Sequence, residues 1–600
     1  MANKFARSKK VSLGSGGIRK FILLFFLIAM LICIMHRGGA SSFLLNGGYK
    51  LLGLSRGKHV KAITWNIAAI NNNPFEYWIT NKDVSYNRIM SDVSAYIDNP
   101  GNNDIPVKEI FTDLMYSELE ESMSNAGWKG LVETRRQWET DYRERKAISE
   151  FIKDNLLGKK RLASMPDRVT NTINTVAEGL VMRPSVINCY NSGDLSTVDN
   201  WWKLWRQFMF EREVTVKKKG VNVTVQVASM ISKIKRSKYP SITEDEEKIS
   251  IPLQILCAAI FDAILINMMN TIDKRAWQPL REDICSKLNR KKTDRTIEIL
   301  ETAYGSTDVM FLQEVASSFG DAVKNRQLSS VYDLYSPMAM DGDRDQNSFI
   351  LLQKGKFRDV TEVTSDVLRE LDSTKQVPIA NGDLLAVTAV DTQDGAKYLL
   401  ASFHGDTNGL ATIAVVSAMH RYAVMKRPDH KLLFGMDANT YRNPEDDQQG
   451  VIDFAKYYTS IKLNSCYGQT PNPENFTTFH ARTHLQPQLN KAVRLEEKDI
   501  KGDKNPKDFI LFFASDFEVV STQKDNTGER KYIEDMVFPT LSFPSDHGVT
   551  STVLIEQRLA AAATAIAGDI RGKPSMDISD SIMEGEASEK KESTSLRGNP

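Results

Sequence analysis

The feature that most limits what this chain can fold into is a set of short apolar, β-branched runs, each with polar side chains at one end. Val60–Ile67 (VKAITWNI) ends on Asn66, and Asp308–Val315 (DVMFLQEV) closes on Gln313 and Glu314. Tyr398–Phe403 leads straight into His404, and Lys431–Asn439 (KLLFGMDAN) ends on Asp437 and Asn439. Lys507–Phe513 (KDFILFF) carries Asp508 at its head, and Val549–Ile555 follows directly on Phe543-Pro544-Ser545-Asp546-His547-Gly548. Runs of this composition are strands. Loop residues held at strand ends by a rigid sheet are common places for chemistry. In extended backbone, residues i and i+2 share a face, so Asp437 and Asn439 can address one ligand. A charged Glu314 at the end of an apolar strand is costly unless it is paired, hydrogen-bonded or metal-bound. Taken singly, each has an ordinary reading: Asn66 closing a turn, Glu314 reaching solvent, Ser-Asp-His a chance tripeptide.

Between the first two runs the texture changes. From about residue 80 to 295 helical periodicity dominates, with helices predicted over Ile105–Met123, Val132–Leu157 and Ser164–Val181. Glu213–Val216 and Val221–Val225 flank Lys217-Lys218-Lys219-Gly220 and predict a β-hairpin with a basic tip. Ile249–Met269 is apolar enough for a membrane span. It contains Asp262 and Asn267, which favour a buried core helix. After this block the pattern returns to α/β. A helical face at Ile297, Ile299, Leu300 and Ala303 precedes the second run, strands are predicted over Ser348–Leu352 and Leu384–Ala389, and a helix over Ala411–Met425.

The N-terminus points to a membrane. Fifteen unbroken apolar residues, Phe21–Met35, follow a segment with Lys4, Arg7, Lys9, Lys10, Arg19 and Lys20 and no acid. Such a helix spans about 22 Å at 1.5 Å per residue, short of the ~30 Å hydrocarbon core. The run therefore reads either as a signal anchor over 21–37, extended by its flanks, or as a cleaved signal with Gly38-Gly39-Ala40 for processing. Only Arg37 and Lys50 follow over the next twenty residues, so the N-terminus is expected in the cytoplasm and the bulk of the chain lumenal, extracellular or secreted. Residues 38–58 read as a linker, 557–600 as a disordered tail. Asn222 and Asn475 sit in glycosylation sequons. The net charge of +1, from 77 basic and 76 acidic residues, marks no nucleic-acid binder globally. Beyond Cys33 in the apolar run, Cys189, Cys257, Cys285 and Cys466 are widely spaced with no Cys-x-x-Cys pair, which argues against a zinc cluster and leaves room for one or two disulfides.

The strand-end segments TWN, LQE, FH, D-A-N, DFIL and SDH, in this order, closely resemble the endonuclease/exonuclease/phosphatase superfamily (deoxyribonuclease I-like phosphoesterases). The resemblance covers residues 60–79 and 296–556. It implies a four-layer α/β sandwich with a large, mainly helical insertion at 80–295 after the first strand. It also implies Mg²⁺ (or Mn²⁺) and cleavage of a phosphoester in a nucleic acid or phospholipid headgroup. Carried over residue by residue, Asn66, Glu314 and Asp546 are placed at the metal, and Asp437 at the attacking water. Asn439 falls at a phosphoryl oxygen, His404 at the transition state or leaving group, His547 at the phosphate and Asp508 behind a histidine. Two departures stand out: Gly435 lies one residue before the Gly position that usually precedes the Asp of Asp-x-Asn, and Ala68 replaces an Asp found in abasic-site endonucleases. Asn439-Thr440-Tyr441-Arg442 only partly matches the Asn-Tyr-Arg of inositol polyphosphate 5-phosphatases. Membrane-tethered or secreted phosphodiesterase or nuclease is the leading reading. A lipid phosphodiesterase or inositol-phosphate phosphatase, and an inactive binding or scaffold protein, are the alternatives.

Overall fold

The computed structural model describes residues 58–218, 220–341, 344–374, 376–479, 485 and 503–557. The expected membrane helix at 21–37, its basic leader, the linker up to 57, Lys219 and the tail from 558 lie outside the described residues.

Strand β1 (His59–Asn66) is followed by a block holding two hairpins, β2 (Thr172–Thr175) with β3 (Gly179–Met182) and β4 (Glu213–Lys218) with β5 (Val221–Gln226). The chain then forms β6 (Val309–Val315), β7 (Tyr332–Tyr335), β8 (Asn347–Gln353), β9 (Phe357–Glu362), β10 (Leu384–Asp391) and β11 (Lys397–His404). It finishes with β12 (His430–Asp437), β13 (Leu463–Ser465), β14 (Asp508–Phe513), β15 (Phe517–Asp525) and β16 (Val549–Glu556). One six-stranded sheet has the order β15-β16-β1-β6-β8-β7, the other β13-β14-β12-β11-β10-β9. Only β1–β6 and β11–β12 pair in parallel within these two sheets.

The near-continuous apolar runs follow from burial on both faces. Along β6, Val309 and Phe311 join the core shared with Leu400, Leu433 and Ile510 of the second sheet. Met310 and Leu312 face the other way, onto Ile297, Leu300 and Tyr304 of the helix Lys292–Tyr304. In β12, Leu433 belongs to the inter-sheet core, while Leu432, Phe434 and Met436 pack on the helices Thr412–Lys426 and Val451–Ser460. The layers are thus helix, sheet, sheet, helix. Gly435 marks their closest approach: a Cβ there would lie 2.4 Å from the Phe311 ring of the opposing sheet.

The alternation also decides where polarity goes. Inner-face positions are apolar along most of each strand and become polar at one end: Thr64 and Asn66, Gln313, Ser402 and His404, Asp437, Asp508. Gln313 Nε2 donates to Thr64 Oγ1 (3.1 Å) and Ser402 Oγ (2.9 Å), tying the two sheets together beneath that edge.

The block between β1 and β6 has its own apolar core, centred on the helix Ser250–Asp273 and including Trp138, Trp201, Trp205 and Trp277. That helix is the one, among the described residues, long and apolar enough to cross a membrane. Its most apolar stretch, of mean hydropathy 1.9, is 89% buried against protein. Asp262 at its centre is fully buried, accepting from Arg183 Nε (2.8 Å), Ser185 Oγ (2.7 Å) and Trp205 Nε1 (2.9 Å). The β4–β5 hairpin forms as expected, with Asn222 exposed on it; Asn475 is half-buried.

Three expected helices differ. The first begins at Asp113 rather than 105, because Pro106 leads into a short 3₁₀ turn and Thr112 caps the helix, accepting from Met115 N. The second ends at Thr140. Val107 N donates to Arg145 O and Ala147 N to Ile105 O, so those backbone groups pair with a neighbouring segment instead of a continuing helix. The third stops at Thr170. Beyond it the β-branched Thr172–Thr175 and a left-handed Gly179 (φ +70°) form the β2–β3 hairpin.

Candidate active site

The polar ends converge because of topology. Parallel strands β1, β6, β11 and β12 bring their C-terminal ends to one edge. Antiparallel β14 and β16 bring their N-terminal ends to the same edge. Register places His404 opposite Asp437, Asp437 opposite Asp508, and Asn66 opposite Gln313.

A bulge in β6, between Leu312 and Val315, re-aims Glu314. Glu314 sits at φ +55°, an uncommon conformation for a side-chain-bearing residue. Its carboxylate accepts from Ala69 N (2.7 Å), Gln346 Nε2 (3.1 Å) and Asn66 Nδ2 (3.2 Å). Asn66 Nδ2 also donates to Asp437 Oδ2 (3.0 Å), while Asn66 Oδ1 takes the Ala68 N–H (2.8 Å). In this orientation Asn66 is the bridge between two carboxylates, its oxygen turned to the backbone.

Asp437 Oδ1 accepts from Asn439 N (2.9 Å), with Asn439 at φ +47° just past the strand. His404 Nε2 lies 3.5 Å from Glu314 Oε1 and 3.7 Å from Asp437 Oδ2. His404 Nδ1 is buried and has no hydrogen-bond partner among the described residues. His547 Nδ1 meets Asp508 Oδ2 at 3.0 Å, and its Nε2 lies 3.6 Å from Asp437 Oδ2. The loop before β16 is fixed by Ser545 Oγ donating to Asn66 O (2.7 Å), Trp65 Nε1 donating to His547 O (2.9 Å), and His547 N donating to Ser545 Oγ (3.0 Å).

Burial works against a charged imidazole at His547, but Asp508 and Asp437 outweigh it and push its pKa up to about 10. At Asp437, burial raises the carboxyl pKa, yet the neighbouring His547, His404 and Lys507 hold it below the usual range. The ligand atoms of Asp437, Asp508 and His547 all lie within 4.8 Å of one another, a buried group that could hold a metal. Asp546, half-buried, points to a separate cavity that it shares with Glu314.

Seven of the eight expected residues therefore meet directly or through one neighbour: Asn66, Glu314, His404, Asp437, Asn439, Asp508 and His547. Asp546 stands apart on the cavity side. Sequence reading named Gln313 as a strand end but gave it no role. It missed Thr477, whose Oγ1 accepts from Lys507 N and Asp508 N. It also missed Lys507, buried and ion-paired with Asp503 at 2.5 Å. Lys507 adjoins a strand-head Asp and was legible in principle. Thr477 lies between β13 and β14, where no local pattern marks it for the site.

Two facing six-stranded sheets under helices, with carboxylates and imidazoles at one edge, are the arrangement that the resemblance to the endonuclease/exonuclease/phosphatase superfamily implies. Solved structures similar to this chain include the human nocturnin catalytic domain with bound sulfate (14% identity, 45% of this chain, 89% of that chain, TM-score 0.29). They also include an endonuclease/exonuclease/phosphatase from Bacteroides vulgatus (13%, 45%, 94%, 0.31) and TDP2 from D. rerio complexed with a single-strand DNA product (14%, 44%, 90%, 0.29). A family model described as a domain of unknown function (DUF8234) matches residues 104–282, inside the helical block. No curated protein matches the chain.

Proposed function

We propose that the protein is a metal-dependent phosphodiester hydrolase held on the non-cytosolic side of a membrane by residues 21–37. The observation that carries this reading is the convergence of His404, His547, Asp437, Asp508 and Glu314 from five strand ends, with His547 held between two carboxylates.

The donor set suits a hard divalent cation. Glu314 and Asp546 offer carboxylate oxygens, the donors Mg²⁺ or Mn²⁺ prefers, with Asn66 beside Glu314. When bound, the metal neutralises charge on the phosphoryl and leaving oxygens. The chain's own groups do the rest. Asp437, kept ionised by its cationic neighbours, takes a proton from the attacking water. Asn439 orients a phosphoryl oxygen. Asp508 holds His547 by Nδ1, so Nε2 presents its proton toward the phosphate. His404 faces the same space and assists the leaving oxygen. The Cys189–Cys285 disulfide, with Cα atoms 5.4 Å apart, supports an oxidising compartment.

The test is a panel of DNA, RNA, sphingomyelin, phosphoinositides and a chromogenic diester, each with Mg²⁺ and with EDTA. Turnover is expected with Mg²⁺ only, and is expected to vanish in D437A and H547A. A folded protein that turns over nothing on the panel refutes the reading.

A further inference from the structure

A cavity of about 340 Å³ opens between the site and the helical block. Glu314 and Asp546 lie on one side of it. Tyr77, Leu288, the Cys189–Cys285 disulfide and Lys292 form walls from the chain that precedes β6. Lys292 begins the helix Lys292–Tyr304 and is only 6% exposed. Its ammonium has three donors. Among the described residues it makes one hydrogen bond, to Ala69 O (3.0 Å), and forms no ion pair. The same Ala69 gives its N–H to Glu314 Oε2, so one residue links the lysine to the site. Glu314 and Asp546 act on this ammonium across the cavity without reaching ion-pair distance, so its remaining donors are left facing the cavity space.

We infer that Lys292, contributed by the chain outside the two sheets, is a phosphate-binding residue of this cavity, and that the cavity receives a phosphate group of the substrate next to the ester held at Asn439 and His547. This rests on the hydrolase reading. The shared chemistry is a tetrahedral phosphate oxyanion, whether ester-bound or free inorganic phosphate, and charge-assisted N–H···O bonds are the strong ones.

The full chain is titrated with inorganic phosphate in Mg²⁺ and in EDTA by calorimetry, and KM and kcat are measured on an ester that turns over. K292M is expected to weaken phosphate binding and raise KM, each by roughly ten- to hundredfold, with kcat moved less. K292R keeps most of both. Unchanged phosphate affinity and KM in a folded K292M overturns the inference and leaves Lys292 as a clamp on Ala69. If phosphate binding depends on Lys292 but no ester is cleaved, Lys292 stands as a phosphate-binding residue and the hydrolase reading falls. If K292M cleaves the ester with an unchanged KM, the hydrolase reading stands and the inference falls. Should K292M fail to fold, L288W fills part of the cavity from a half-buried wall position. The same loss of phosphate affinity is expected of it, and normal binding overturns the inference.

Discussion

Asp508 carries the most testable role of any single side chain. It is fully buried, 3.0 Å from His547 Nδ1, and fixes which imidazole nitrogen faces Asp437. D508N keeps the shape and removes the charge. In chelated protein the His547 titration, followed by NMR, is expected to fall from about 10 toward the ordinary histidine range. With metal, kcat is expected to drop by roughly 10²- to 10⁴-fold, the usual worth of a positioned acid or base. A titration that does not move in D508N excludes this pairing. Residue-level reading also explains a departure from the family pattern. Gly435 is kept clear of a side chain by the Phe311 ring of the facing sheet, and Met436 between it and Asp437 points outward into a separate apolar core.

At the scale of elements, the helix Ser250–Asp273 is the buried core helix that Asp262 and Asn267 favour. Length and hydropathy alone allow a membrane span, but the helix is the axis of the block's core. Asp262 at its midpoint needs Arg183, itself 1% exposed, which also reaches Asp167 Oδ1 (2.7 Å) and Thr170 Oγ1 (2.7 Å). Burial raises the Asp167 pKa to about 6 even against Arg183. Removing one partner of such a network strands the other charge, which costs about 3–5 kcal/mol. R183M is therefore expected to lower unfolding free energy by that amount in urea titrations, and R183M/D262N to recover part of it. Equal losses in the single and double variants contradict this account of the network.

For the whole molecule, acid stability is the property to measure. His420, on the helix Thr412–Lys426 and 6% exposed, has its pKa lowered to about 4, chiefly by burial. A base whose folded pKa lies below its unfolded value of ~6.5 contributes stability above that value. The contribution is lost as pH falls toward 4, and amounts to roughly 3 kcal/mol. Unfolding free energy is expected to fall between pH 6.5 and 4, and to fall less in H420Q. Identical pH slopes for the two proteins remove His420 as the cause. Metal at the opposite end of the sheets is expected to raise stability separately, by mass action on the folded state.

Much of the site was legible in one dimension, for a physical reason. A strand buried on both faces must be apolar throughout, so a polar residue at its end stands out, and six such ends share an edge once parallel and antiparallel directions are respected. The burial pattern marks Asn66, Glu314, His404, Asp437, Asn439, Asp508 and His547 as strand-end polar residues without coordinates, and the family resemblance is what implies that they form one site. Neither reaches Lys292, Thr477 or the Arg183–Asp262 pair, because their partners lie 223, 30 and 79 residues away and nothing local announces them. Nor does periodicity show that residues 105–107 would take the backbone bonds of 145–147 and break a helix. The sequence by itself determined the strands that carry the polar ends, those ends themselves and the buried character of the long apolar helix, all consequences of local burial pattern. Only the tertiary structure decided which carboxylate holds His547, which way the Asn66 amide turns, and that a lysine from outside the sheets faces the same space as Glu314, because these depend on which distant segments are packed together.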